Sequence, residues 1–382
     1  MEDAVSTVVF ANSCAGGGKA AGRIAEVRAQ FAQRNFAVKL AECGSLEEFR
    51  KSIRAALASG SERLVAMGGD GTLQLLVRET IGFDVSVGVI PVGGGNDVAR
   101  ALGIKTWKEA IDVVIEGRTR AIDMVSVGFA NGEEAKYLGG GGVGLDAEAA
   151  RRASGRFKSW PGRLRYLAAA IDALRGYEGM EVNLEISGVA QPIPGRVLLA
   201  AVLNTPSYGG GVRLAPRAQV DDGELDFVVV EKLSVLEIAR LIPGLFFTGE
   251  LRTPRVQRFR GARARLSAHG SPWFHGDGEL LGKVPVEIAV LPRALRVLAP
   301  ERSSVAQEGK RSRVGGVNDD TGDNQAEKHD HQHVGDVSEQ LSPGEIVTRN
   351  RGQDVERGVR MLNLAARTAT QPSARVHGPS QL

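Results

Sequence analysis

A chain of 382 residues, 42% hydrophobic and 24% charged, has enough material for two domains with buried cores. A formal net charge of +3 gives no argument for nucleic acid, and two cysteines, Cys14 and Cys43, exclude a disulfide framework. No run approaches the roughly 18 apolar residues of a membrane span, and MEDAVSTVVFANS has no signal-peptide pattern, so a cytoplasmic protein is expected.

The first 126 residues alternate strand and helix. TVVFAN (Thr7 to Asn12) reads as a buried strand, Gly18 to Arg34 as a helix, and a short strand surrounds Val38. SLEEFRKSIRAALASG is predicted as a helix, with Ser45 at its N-cap and Glu48 completing a capping box. RLVAM follows as a strand, then a glycine turn, a helix from Thr72 and the strand VGVIPV. A second turn, Gly93-Gly94-Gly95-Asn96-Asp97, opens a helix through Ala101. This alternation predicts a three-layer α/β domain around a parallel sheet with right-handed crossovers.

From Val127 the pattern changes. KYLGGGGVGLDAE, MEVNLEI, GRVLLAAVLNT, ELDFVVVEKL, ARARLSAH and VPVEIAVL read as strands joined by Gly and Pro turns. Helical stretches at Arg163 to Arg175 and Val235 to Phe247 interrupt them. This half is expected to be a β-rich sandwich or barrel. ALRVLAP (Ala294 to Pro300) is one last strand, returning to the first domain. After Pro300 the apolar pattern stops, and 301–382 is expected to be a disordered tail. The domain boundaries are therefore 1–126, 127–300 and 301–382.

Three glycine-rich turns end apolar strands and open helices: ANSCAGGGKA, VAMGGDGT and IPVGGGND. At the carboxyl ends of parallel strands, glycines let backbone N–H groups approach a phosphate, and the helix N-terminus adds partial positive charge. A carboxylate in such a turn, Asp70 or Asp97, needs a cation between itself and the phosphates. One such turn is equally a plain glycine turn with an N-cap aspartate; three side by side read as one polyphosphate site. Lys19 lacks P-loop spacing, since Ser13 and Ala20 stand at the diagnostic positions. The GxGxxG at Gly139, Gly141 and Gly144 lies in the β-rich half, away from any βαβ start.

MGGDGT followed by PVGGGND resembles the catalytic domain of the diacylglycerol kinase and sphingosine kinase superfamily, in particular its bacterial soluble lipid kinases. NSCAGGGK, RAIDMVSV, RLAPRAQVDDGELDFVVV and HGDGEL fit the same pattern in order, so the resemblance spans roughly residues 5–300. It implies an ATP- and Mg²⁺-dependent kinase acting on a lipid hydroxyl, most simply that of diacylglycerol. Gly68, Gly69, Asp70, Gly71 and Thr72 would bind ATP phosphates, with Asn12, Ser13, Gly16 and Lys19 from the first turn. Gly94, Asn96 and Asp97 would join them, and Asp97 and Asp123 would belong to a water and Mg²⁺ network. A structural Mg²⁺ would lie on Asp222 and the carbonyls of Gln219 and Glu224. Glu279 would accept the proton, with Asp277 beside it.

The chain departs from the family pattern at Gly94, where threonine is usual, and at Gln74-Leu75, where Asn-Glu is common. The family's nucleotide-contacting threonine after strand two has no clear match near Ala41. An NAD kinase-like enzyme and a non-catalytic nucleotide or lipid sensor are the alternatives. Arg151, Arg152, Arg156, Lys158, Arg163 and Arg165 surround Phe157 and Trp160 in segment 151–165. Such a segment suits peripheral contact with an anionic bilayer, or equally a solvated helix face. A second basic run extends from Arg252 to Arg265. The oligomeric state is open, a homodimer included.

Overall fold

The computed structural model describes residues 6–13, 19–145, 147–148, 152, 172–173, 177–193, 195–234, 237–238, 240–241, 244, 251 and 253–301. Thr7–Asn12 (β1) buries its first five residues and pairs in parallel with Lys39–Cys43 (β2) and Arg63–Gly68 (β3). Strand β3 pairs in parallel with Ser86–Pro91 (β4), buried throughout. Continuous apolar strands of this kind belong to a sheet covered on both faces. The covering helices are Lys19–Gln33 (α1), Leu46–Ala58 (α2), Asp70–Thr80 (α3), Asp97–Ala101 (α4) and Trp107–Glu116 (α5). Ser45 caps α2 as its sequence predicts, accepting from Glu48 N at 3.1 Å. Helix α5 is absent from the predicted elements. It starts in the same way, with Thr106 accepting from Glu109 N, and stops at Gly117 in the left-handed region (φ 66°).

The β-rich half is built on two long antiparallel strands. Thr119–Phe129 (β5) pairs with Val286–Leu298 (β16) from Phe129↔Val286 to Thr119↔Leu298, with a bulge between Leu291 and Leu295. Near its end β16 also joins β4 in parallel, at Val297↔Val87. VPVEIAVL and ALRVLAP, expected as two strands, are thus one strand bent at its bulge. Arg263–Ala268 (β13), Val182–Ile186 (β8) and Val189–Ala190 (β9) extend the sheet beyond β16, while Glu134–Tyr137 (β6) pairs with β5. Among the described residues this makes one ten-stranded mixed sheet.

A second sheet, of six antiparallel strands among the described residues, runs Val256–Gly261 (β12), Leu225–Glu231 (β11), Val197–Leu203 (β10), Gly140–Gly144 (β7), Trp273–Gly276 (β14) and Glu279–Lys283 (β15). Val125, Leu184 and Val286 from the first sheet meet Val202, Phe227 and Phe274 from the second, closing a sandwich. KYLGGGGVGL is cut at Leu138-Gly139: β6 stays in the first sheet and β7 enters the second. The GxGxxG run is therefore mostly a sandwich strand. The basic run from Arg252 to Arg265 holds β12, which is absent from the predicted strands, and several of its described arginines are engaged. Arg258 donates to Leu214 O at 2.9 Å, and Arg265 pairs with Glu287 at 2.8 Å.

The helical stretches expected at Arg163–Arg175 and Val235–Phe247, and basic segment 151–165, fall mostly outside the described residues, as does 302–382. Among the described residues no helix is long and apolar enough to cross a membrane.

Candidate functional site

Because β1, β3 and β4 are adjacent and parallel, Asn12 and Ser13 at the end of β1 stand at the same edge of the sheet as the turns after β3 and β4. Asn12 closes β1 and donates from Nδ2 to Thr72 Oγ1 at 3.3 Å, joining the first turn to the second. Ser13 turns away, donating from Oγ to Cys43 O at 3.2 Å. Gly16 lies outside the described residues, and Lys19 begins α1.

The second and third turns pack backbone to backbone. Gly93 N–H donates to Gly68 O at 3.2 Å, and a Cβ on Gly93 would stand 2.5 Å from Gly69 Cα. Packing therefore demands glycine at Gly93. At Gly71 it does not, since an added Cβ would meet no protein atom within 4 Å. That open space lies beside the N-terminus of α3, where the Thr72 and Leu73 N–H groups donate to Gly69 O at 3.0 and 3.1 Å. A phosphate fits the chemistry of the place. Asn96, in the left-handed region (φ 58°), holds the third turn by donating to Gly93 O at 2.9 Å, and its Oδ1 is buried without a hydrogen bond. Gly94 lies between these anchored positions.

Asp70 reaches across from α3 to the start of α4. Its carboxylate accepts from Val98 N at 3.2 Å and also from the Asp97 and Asn96 N–H groups. Burial, and after it the charge of Asp97, nonetheless push the Asp70 carboxyl above its ordinary pKa. Asp97 is held by the other lobe. Ser207 Oγ donates to Oδ1 at 2.8 Å, Gly210 N to Oδ2 at 2.8 Å, and Arg100 pairs with Oδ1 at 2.5 Å. Ser207 and Gly210 lie in NTPSYGGG after β10, a stretch the sequence reading did not use. Its three consecutive glycines were the available signal.

Asp277, at the β14–β15 turn, directs its carboxylate onto three successive N–H groups, Leu138 (2.9 Å), Gly139 (3.0 Å) and Gly140 (3.1 Å). Its pKa is pushed up to about 6 by burial and then by the charge of Asp70, against the pull of those N–H groups. A Cβ on Gly139 would stand 3.0 Å from Asp277 Oδ1 and 3.5 Å from Val98 Cγ2, so Asp277 of the sandwich lobe lies beside the start of α4, where Asp70 is held. Glu279, two residues on, pairs with Arg78 of α3 at 2.5 Å and keeps 52% of its side chain exposed. Gln74, at the position where the family pattern continues with Asn, is buried and donates to Lys136 O at 2.7 Å. Asp70, Gln74 and Arg78 thus form one face of α3, at i, i+4 and i+8, turned toward the sandwich.

Two predicted positions lie elsewhere. Asp123 is fully buried, and its carboxylate accepts from Arg293 N at 2.7 Å and Gly223 N at 2.8 Å. Both oxygens are engaged in clasping backbone. The expected Mg²⁺ ligands Asp222, Gln219 and Glu224 lie on the turn that leads into β11. Asp222 Oδ2 is paired with Arg260 at 2.6 Å, Oδ1 accepts from Glu224 N at 3.2 Å, and Glu224 pairs with the same guanidinium at 3.1 Å.

Residues 6–127 match the diacylglycerol kinase catalytic domain, and residues 141–299 match the YegS C-terminal NAD kinase beta sandwich-like domain. A diacylglycerol kinase of Mycobacterium tuberculosis (strain ATCC 25618 / H37Rv) is 32% identical over 260 residues, 67% of this chain and 83% of that protein. A diacylglycerol kinase of Bacillus subtilis (strain 168) is 27% identical, over 74% of this chain and 92% of the relative. In fold, the chain is similar to the crystal structure of a diacylglycerol kinase from Bacillus anthracis str. Sterne. The TM-score is 0.59 at 19% identity, covering 78% of this chain and 97% of that one. The chain belongs to the diacylglycerol kinase family. It is a lipid kinase.

Proposed function

We propose that this chain transfers the γ-phosphoryl group of ATP to the hydroxyl of diacylglycerol, giving phosphatidic acid. The observation that carries the proposal is the meeting of two lobes at one glycine cradle. Asp70 and Asp97 stand over the turns, and the Asp277–Glu279 turn of the sandwich lobe reaches them. The acceptor follows the names of the relatives, and the departures at Gly94 and Leu75 leave the carboxylates in place.

In this reading the N-terminus of α3 binds the phosphates, with Gly71 leaving room for them. Mg²⁺ carried by the nucleotide supplies neutralisation of phosphate charge, and Asp70 and Asp97 are the residues to hold it. A cation beside the pair would offset the repulsion between Asp70 and Asp97 that, with burial, holds the Asp70 carboxyl above its ordinary pKa. The lipid oxygen bonds to the γ-phosphorus as the bond from that phosphorus to the bridging oxygen of ADP breaks. Glu279 takes the hydroxyl proton, with Arg78 orienting its carboxylate. Residues 1–126 serve the nucleotide and 127–300 the lipid, at the cytoplasmic face of a membrane touched peripherally.

The test is purified protein with radiolabelled ATP, Mg²⁺ and micelles containing diacylglycerol, with NAD⁺ as a soluble control. Labelled phosphatidic acid and unlabelled NAD⁺ are expected. Glu279→Gln is expected to lose about 10²–10⁴-fold in kcat with an unchanged melting midpoint. No labelled lipid with any acceptor, or a Glu279→Gln rate equal to wild type, overturns the proposal.

A further inference from the structure

The turn that carries the family's expected structural cation holds Asp221, Asp222, Glu224 and, at the start of β11, Asp226. Four carboxylates so close require positive charge. Arg260 supplies it from the neighbouring strand. On β12 it stands directly opposite Asp226 in the ladder, and its guanidinium reaches Asp222 at 2.6 Å, Glu224 at 3.1 Å and Asp226 at 3.6 Å. A planar fork with five donors suits three acceptors better than an ammonium would. Arg120 of β5 approaches the remaining carboxylate, Asp221, at 3.7 Å.

We infer that in this chain internal guanidinium groups, Arg260 above all, hold the Asp221–Asp226 turn in place of a structural divalent cation. The placement is dictated by strand register, since Arg260 cannot leave its position opposite Asp226 without the ladder slipping. The turn so held reaches the proposed catalytic residues by a short route. Gly223 N–H donates to Asp123, and Asn204 donates to both Asp123 O and Leu138 O. Leu138 N–H in turn donates to Asp277. The Mg²⁺ requirement of the enzyme then reduces to that of its nucleotide. This step deepens the kinase reading, but its test reads metal content and stability, so the two fail separately.

The experiment uses the full chain without nucleotide. Its melting midpoint is measured in chelator and in excess Mg²⁺, and Mn²⁺ is titrated by electron paramagnetic resonance. The wild-type midpoint is expected to be the same in both buffers. Arg260→Met is expected to melt several degrees lower. A wild-type midpoint that falls on chelation and recovers with Mg²⁺ overturns the inference. So does one bound Mn²⁺ per chain that Asp222→Asn abolishes, or an Arg260→Met midpoint equal to wild type. A Mn²⁺ ion whose binding survives Asp222→Asn lies elsewhere and leaves the turn metal-free, as inferred. Should Arg260→Met fail to fold, the wild-type measurements decide alone.

Discussion

Asp277 carries two opposed demands. Its carboxylate is needed as a charged acceptor for three N–H groups, yet burial and Asp70 favour the protonated form and set its pKa at about 6. A carboxyl whose folded pKa lies above its unfolded value binds its proton more tightly in the folded state. Its stabilising contribution is therefore complete below about pH 4 and is lost as pH rises through about 6. Asp226, also raised to about 6, acts in the same direction. Activity is expected to move the other way, because a protonated Asp277 gives up an acceptor that fixes the Leu138–Gly140 segment. Between pH ~6 and ~5 the wild type should lose turnover while gaining stability relative to Asp277→Asn. The variant's rate should be flat across the same window. Parallel pH–rate and pH–melting series check this, and a wild-type rate that is constant to pH 5 would refute it. The carboxylates themselves were legible in DGT, ND and GDGE. Their partners were not, because an N–H acceptor such as Asp277 and an ion-paired Glu279 look alike until the strands are paired.

The turns make their own predictions. Gly93→Ala puts a methyl group 2.5 Å from the Gly69 backbone, where no side chain can yield. It should cost about 1–3 kcal/mol of stability, read by denaturant unfolding, and activity with it. Gly71→Ala meets nothing in the protein. It should leave stability equal to or up to ~1 kcal/mol above wild type while raising the KM for ATP. An unchanged KM would mean that no phosphate occupies the space beside α3. These turns were legible because a glycine cluster at a strand end has few purposes. Helix α5 carried an equally good start, Thr106 with Glu109, and a stop at Gly117, so the signal was present and unused. Strand β12 was hidden by its two arginines: Arg260 is met by Asp222, Glu224 and Asp226, and Arg258 donates to Leu214 O.

On the scale of the whole molecule, the two lobes share their framework. The α/β core of Val9, Phe10, Met67 and Ile90 includes Val297 and Leu298, about 200 residues further along the chain. A fragment ending near residue 127 would therefore leave β4 and β5 without β16. Such a fragment is expected to give poorly dispersed amide resonances, and adding a peptide of residues 286–298 should order it. A well-dispersed spectrum from the fragment alone would show that the shared strand is dispensable. The alternation of strand and helix announced the first lobe and the change of texture announced the second. The sharing itself was illegible. A parallel partner for β4 taken from near residue 298 is a long-range choice, and no local periodicity encodes it.

The position of β16 also bears on how the chain is made. During synthesis the first lobe emerges complete in every element but one, and its β4 edge waits, with unpaired N–H and C=O groups, until nearly all of the sandwich has been translated. Open edges of this kind recruit wrong partners. The nascent protein should consequently depend on chaperone cover for longer than its early, strongly patterned half would suggest, and β16 is the strand that releases it.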